Sequence, residues 1–161
     1  MLQGLNARKT MMFDLSISAR AGREFVPYLS KKIRAARGVM KTPLVELSVA
    51  LVGDKTMSDL HLRFMSIPGP TDVLTFPLDV DERGRATSGE IVICVPEARR
   101  RARAHGSEPA RELLLYAVHG MLHLYGWDDQ TPAEFKAMHR EEDKILTRIG
   151  VGAVYASTGT V

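Results

Sequence analysis

"EIVICVPEARRRARAHGSEPARELLLYAVHGMLHLYG", residues 90–126, carries the reading of the fold. From Ile91 the run is continuously apolar, the pattern of a strand buried on both faces. Pro96 ends that strand at the start of an arginine-rich helix, since proline's missing N–H is harmless in a helix's first turn. Ser107 then supplies an N-cap, Pro109 sits in the next first turn, and an apolar stretch runs to Gly126, which closes the helix.

Upstream the pattern is mostly strand. "FDLSISA" from Phe13 alternates apolar and polar residues as a half-buried strand does, and a second strand covers Val45 to Val52. "TDVLTFPLDV", residues 71–80, reads as a strand closed by Pro77, and "DERGRATSGE" after it as a polar turn or hairpin connection. Between them, "AGREFVPYLSKKIRAARGVM" places Phe25, Leu29 and Ile33 four apart, an amphipathic helix with Pro27 in its first turns. "GDKTMSDLHLRFMSI" is a short helix capped by Asp54, Thr56 or Ser58, and "PGP" at Pro68 to Pro70 is a loop. Downstream, Thr131, Pro132 and Glu134 open a last helix, "PAEFKAMHREEDKILTRI", and the chain after Gly150 frays. Strands first and helices mostly last predict an α+β fold, a single mixed β-sheet of about four strands with helices packed over it.

Composition bounds the function. At 161 residues, 45% hydrophobic and 25% charged, the chain suits one globular domain over 1–161 and excludes disordered and fibrous classes. No apolar run approaches the roughly 20 residues of a membrane helix, and "MLQGLNARKTMMFDL" has no apolar core followed by a cleavage site. A cytoplasmic protein without membrane partner is expected. Cys94, the single cysteine, excludes an internal disulfide, and its apolar setting in "IVICV" marks a buried structural thiol, so no disulfide-linked partner is expected. The net charge of +3 is mild, but Lys31, Lys32, Arg34 and Arg37 form one basic cluster and Arg99, Arg100, Arg101 and Arg103 a second. Such clusters can track phosphates, or simply be solvated helix faces.

The chemistry concentrates at "HGMLHLYGWDDQ", residues 119–130. His119 and His123, one helical turn apart, can point at one ion. Gly126 can turn the chain back in a left-handed conformation, so that a residue three further on, Asp129, reaches the same ion. The pattern keeps the spacing of the extended three-ligand zinc signature with a carboxylate in the last place. Asp128 is the rival for that place, with an alternative role as turn former or as acceptor for a ligand histidine's other N–H. Zinc tolerates a carboxylate, but oxygen ligation also admits manganese or magnesium, and the lower site charge makes bound water less acidic. A zinc peptidase with this helix carries glutamate directly after the first histidine; here that position is Gly120, which disfavours a peptidase.

"HGMLHLYGWDDQ", "PTDVLTFP" at Pro70 to Pro77 and "GEIVIC" at Gly89 to Cys94 together resemble the YbeY endoribonucleases, bacterial ribosomal RNA maturation factors, over about residues 13–150. The resemblance implies a compact α+β domain with one zinc ion, acting on single-stranded RNA. It implies processing of the 3′ end of small-subunit ribosomal RNA and ribosome quality control. On that resemblance His119, His123 and Asp129 fall on the three ligand positions, although the family's third ligand is usually histidine. The family also has an asparagine four residues ahead of an RNA-contacting arginine where this chain has His61 and Met65. Arg63 is the substitute candidate, although two residues along a helix means a different face.

The expectation is a metal-dependent single-strand endoribonuclease, holding one divalent ion, zinc first, at His119, His123 and Asp129. Its partners are ribosomal RNA and the small ribosomal subunit. Arg63 is the catalytic candidate, Asp128 stands behind the ligands, and Arg99, Arg100 and Arg103 are the RNA-binding candidates. Trp127 is read as helix-end packing or a base-stacking surface, Phe76 as core, His105 and His139 as solvent-facing. The alternatives are a ribosome-associated RNA-binding factor with a structural metal and little catalysis, and a metallopeptidase.

Overall fold

The computed structural model describes residues 12–154. Among the described residues the strands are β1 (Asp14–Ala19), β2 (Glu46–Val52), β3 (Val73–Val80) and β4 (Ala86–Cys94). The helices are α1 (Val26–Met40), α2 (Asp54–Met65), α3 (Val95–His105), α4 (Pro109–Tyr125) and α5 (Pro132–Arg148), with a 3-10 turn at Arg23–Phe25 leading into α1. The reading of the first residues as lacking a leader falls on 1–11, outside the described residues.

The sheet runs β1-β2-β4-β3, with β1–β2 and β2–β4 parallel and β3–β4 antiparallel, the mixed sheet of an α+β fold. Side chains alternate across a strand. Ile91 and Ile93 of β4 accordingly enter the main core with Leu47, Val49 and Leu51 of β2 and the inner faces of α1, α4 and α5. Val92 and Cys94 enter a second cluster on the other face, with Val52, Leu74 and Met57 of α2. Burial of β4 on both faces follows directly, and helices cover both sides of the sheet.

Helix α4 packs unusually close to β4. A Cβ added at Gly120 would stand 2.8 Å from Ile91 Cδ1, and one at Gly89 would stand 2.8 Å from both Leu124 methyls. Contacts four apart on the helix and two apart on the strand span about 6 Å on each. The pairs 89 with 124 and 91 with 120 therefore run the helix antiparallel to the strand, in register. Gly120 is buried in that contact, so the position where a peptidase carries its glutamate faces the sheet and has no room for one.

Four local expectations are corrected. Pro77 does not close β3 but lies inside it, paired with Gly89 just before a register irregularity. It is tolerated because β3 is an edge strand, where a missing N–H need not break a ladder bond. Helix α2 has Gly53 at its N-cap and no side-chain cap; the Asp54 carboxylate instead accepts two bonds from the Arg100 guanidinium, at 2.8 and 2.9 Å. Helix α4 starts after Glu108, again without a side-chain cap, and Ser107 donates to Glu112 at 3.5 Å. After Gly150 the chain continues packed as far as Val154, which is 1% exposed and whose N–H bonds Asp143. The last helix does start as read: Thr131 and Glu134 make a reciprocal capping box.

No helix among the described residues is long and apolar enough to cross a membrane. Cys94 is fully buried, and its S–H donates to Asp54 at 3.4 Å. Burial pushes the thiol pKa up to about 11. The thiolate is the nucleophile, so at pH 8 iodoacetamide should label the folded chain about a hundredfold more slowly than the urea-unfolded chain. Equal rates would contradict a buried, neutral thiol. Alanine at Gly120 forces a methyl onto the branched Ile91, an overpacking cost of about 1–3 kcal/mol that exceeds the helix-propensity gain of about 1 kcal/mol. The urea midpoint should fall; a raised midpoint would show slack between helix and strand.

Candidate metal centre

Helix α4 ends at a left-handed glycine. Gly126, at φ 112°, donates to the His123 carbonyl, and the Trp127 N–H reaches back to the Leu122 carbonyl at 2.9 Å. This pair of bonds closes the helix in a Schellman motif and reverses the chain. Asp128 then accepts the N–H of Asp129 at 2.9 Å, which fixes the turn that brings the Asp129 carboxylate back over the helix.

The result is a convergence of three donor atoms. His119 Nε2 and His123 Nε2 lie 2.9 Å apart, and Asp129 Oδ2 lies 3.4 Å from the first and 3.5 Å from the second. The tautomers follow from the other ring nitrogens. His123 Nδ1 faces the Trp127 carbonyl at 3.1 Å, and a carbonyl only accepts, so the proton is on Nδ1 and the Nε2 lone pair points into the cluster. His119 Nδ1 faces the Glu142 carboxylate at 2.5 Å, which places its Nε2 lone pair likewise. Two imidazole lone pairs and a carboxylate oxygen form a cation-binding set. Bonds of about 2.0–2.2 Å in tetrahedral array put ligand atoms roughly 3.3–3.6 Å apart, so the carboxylate spacing fits zinc and the imidazole pair needs only a small opening. His119, His123 and Asp129 could therefore hold one metal ion.

Behind this set lies a group that sequence reasoning missed. Glu142 of α5 is fully buried and accepts from His119 on one oxygen and from His139 Nδ1 on the other, at 2.6 Å. Burial opposes its charge, but the two imidazoles outweigh burial and hold its pKa below the usual carboxylate range. Burial likewise opposes the charging of His119, yet Glu142, with Asp129 and Asp72, holds its pKa above the ordinary imidazole value. A signal was present: Met138, Glu142, Ile145 and Leu146 form the buried stripe of α5, and an acidic residue in that stripe must have a partner. His139 is not solvent-facing as read; its side chain is 14% exposed, and its ring stacks 6.2 Å from that of His119. The acceptors for the two candidate ligands' other nitrogens are Glu142 and the Trp127 carbonyl, whereas Asp128 serves the turn.

A cavity of about 380 Å³ opens from the cluster along α4, lined by His119, Asp129 and Glu112, by Arg101 and His105 of α3, and by Phe135. Glu112 is buried and its pKa is raised by burial; Tyr116 beside it is pushed up for the same reason. Arg101 brings a guanidinium to this wall while bonded to Glu97 at 3.4 Å.

The other basic candidates lie elsewhere. Arg99 bonds Glu24 at 2.6 Å and packs over Phe25, and Arg100 is held by Asp54 and Glu97. Arg103 is exposed and outside the cavity wall. Arg63 is exposed on α2, its guanidinium 5.5 Å from the Phe64 ring and also outside that wall. His61 is buried and donates to the Gly69 carbonyl at 2.9 Å, tying α2 to the loop before β3. Trp127 is partly buried against the main core at the end of α4.

Comparison with known proteins places this arrangement. The family described as "Endoribonuclease YbeY" matches residues 11–150. Endoribonuclease YbeY of Mycolicibacterium paratuberculosis is 42% identical over 113 residues, 65% of this chain and 64% of that protein. That of Mycobacterium tuberculosis strain H37Rv is 41% identical over 113 residues, with the same shares of each chain. These matches thus span less than two thirds of either relative. Among solved structures, the solution structure of TM1509 from Thermotoga maritima superposes with a TM-score of 0.57 at 25% identity, covering 85% of this chain and 91% of that one. With a family match running from before β1 to the end of α5, and the helix and loop of His119, His123 and Asp129 inside it, the chain belongs to the Endoribonuclease YbeY family.

Proposed function

We propose that this chain is a metal-dependent endoribonuclease that cleaves single-stranded RNA, with one zinc ion held by His119, His123 and Asp129. Within that reading it acts in the cytoplasm on ribosomal RNA of the small subunit, at the 3′ end, during ribosome maturation. The observation that carries the proposal is the convergence of three oriented donor atoms at one end of an open cavity, in a chain of this family.

Bound there, zinc supplies Lewis-acid activation of water and stabilisation of developing phosphoryl charge. The chain's own groups do the rest. His119 and His123 present lone pairs because Glu142 and the Trp127 carbonyl hold their Nδ1 protons. Asp129 contributes the anionic donor that lowers the charge of the set. Arg101, on the cavity wall, is the cation placed to meet a substrate phosphate. Arg99, Arg100 and Arg103 lie outside the cavity, and we assign them to backbone phosphates farther along the strand, Arg99 and Arg100 by exchange of their carboxylate partners; Arg63, the catalytic candidate, also lies outside the cavity and is given no step. A peptidase reading lacks its base, since Gly120 is pressed against Ile91.

Elemental mass spectrometry on protein purified without chelator should find about one zinc per chain, and much less in Asp129→Ala. Cleavage of single-stranded RNA should drop by at least about a hundredfold in His119→Ala and His123→Ala, since each removes a ligand. Unchanged metal-dependent cleavage in the histidine variants would overturn the proposal. Zinc binding and ribosome association without any RNA cleavage would favour the RNA-binding factor instead.

A further inference from the structure

Glu142 links the ligand set to a part of the molecule that supplies no ligand. Its carboxylate is 0% exposed, and its two oxygens are divided between His119 of α4 and His139 of α5, at 2.5 and 2.6 Å. Neither of those partners is lysine or arginine. A buried carboxylate needs a compensating positive charge or hydrogen bonds to every lone pair that faces protein. The two imidazoles give it hydrogen bonds on both oxygens. A divalent cation on the far side of the His119 ring gives it charge as well, transmitted through an imidazole whose Nδ1–H it already accepts. The same carboxylate thus selects the tautomer of His119, fixes the plane of its ring and favours a cation at its Nε2.

The second oxygen defines what holds Glu142. His139 lies one turn before Glu142 on α5, bonds the remaining oxygen and stacks its ring near that of His119, while the Phe135 ring edge packs on it at 4.3 Å. With both oxygens occupied, the carboxylate cannot rotate away from His119 without losing a buried bond. Helix α5 is therefore docked on α4 through a polar chain from His139 to Glu142 to His119, set among apolar contacts of Met138, Ile145 and Leu146.

We propose that Glu142 is the positioning residue of the metal centre, held by His139, and that through it binding of a divalent cation is coupled to the docking of α5 on α4. The proposal rests on the metal-dependent reading above, and it concerns a residue that contributes no ligand atom. One consequence is a graded response. Glu142→Gln keeps an acceptor for His119 but removes the charge, whereas Glu142→Ala removes both. His139→Gln leaves the Glu142 carboxylate and replaces the imidazole bonded to its second oxygen, with loss of the ring contacts to His119 and Phe135.

The test uses the full-length protein and zinc alone. Zinc affinity is measured by competition with a chromophoric chelator, and the His119 tautomer in metal-free protein by nitrogen-15 NMR. Glu142→Gln is expected to bind zinc about tenfold to a hundredfold more weakly than wild type, with Glu142→Ala weaker still and His139→Gln between wild type and Glu142→Gln. The NMR spectrum of wild type should show His119 protonated on Nδ1, and Glu142→Ala should lose that preference. Zinc should slow amide hydrogen exchange in α5 of wild type and do so much less in Glu142→Gln. Circular dichroism on the folded Gln variant separates this from loss of structure. Equal zinc affinity in wild type and Glu142→Gln, or zinc protection of α5 that survives the substitution, would overturn the positioning role while leaving the metal-dependent reading intact. A wild type that binds no zinc would instead remove that reading, and the positioning role with it.

Discussion

The contact between α4 and β4 is the constraint on which the rest of the molecule depends. Two glycines, one on each element, let the Ile91 and Leu124 side chains seat directly on the facing backbone, where an added Cβ would stand 2.8 Å from them. Because the two contacts match in spacing, the helix is fixed in rotation as well as in distance. Rotation decides where the histidines go. His119 and His123 each adjoin a residue seated against the sheet, and their rings meet beside that contact, His119 toward α5 and the cavity and His123 toward the Trp127 carbonyl.

A second consequence concerns chemistry. On the helix face that meets the sheet, position 120 is filled by Ile91 and has no room for a side chain. The common helical zinc signature uses that position for a catalytic carboxylate. This fold has given it to packing, so in the proposed reaction any proton transfer falls to other elements. The cavity is built accordingly: α4, α3, α5 and the residues entering β3 all contribute to its wall.

Much of this was legible because several local signals agreed. The apolar run at Ile91 to Val95 with Pro96 behind it, the paired Thr131 and Glu134, and the glycine after an apolar helix each specify structure within a few residues. That His119, His123 and Asp129 come together was legible for the same reason, since a helical turn plus a left-handed glycine suffices to bring Asp129 back. What escaped was set by distant partners. Asp54 looked like a helix cap, but its carboxylate meets Arg100, 46 residues away. Pro77 looked like a strand terminator, and only the strand's place at the sheet edge makes it harmless. Glu142 lies 23 residues from His119 within the charged string "HREED", where an acidic side chain reads as solvated until its place in the apolar stripe is noticed.

The connection between α4 and α5 is fixed at every step: a left-handed glycine, a carboxylate bonded to the next residue's N–H, and a reciprocal cap. Each of these devices serves two ends at once, because the same few residues turn the chain, deliver Asp129 and set the starting phase of α5. An inserted or deleted residue here would disturb the turn that brings Asp129 back over α4 and the cap that starts α5, the helix that carries Glu142. The hairpin between β3 and β4, by contrast, closes on Asp81 and Arg85 and supplies neither a candidate ligand nor a cavity residue, although Arg85 packs on the Tyr125 ring at the end of α4. Length can vary more freely at the exposed hairpin tip, Glu82 to Gly84, than in the loop that carries Asp129, which makes that tip the place to graft a tag or an affinity handle.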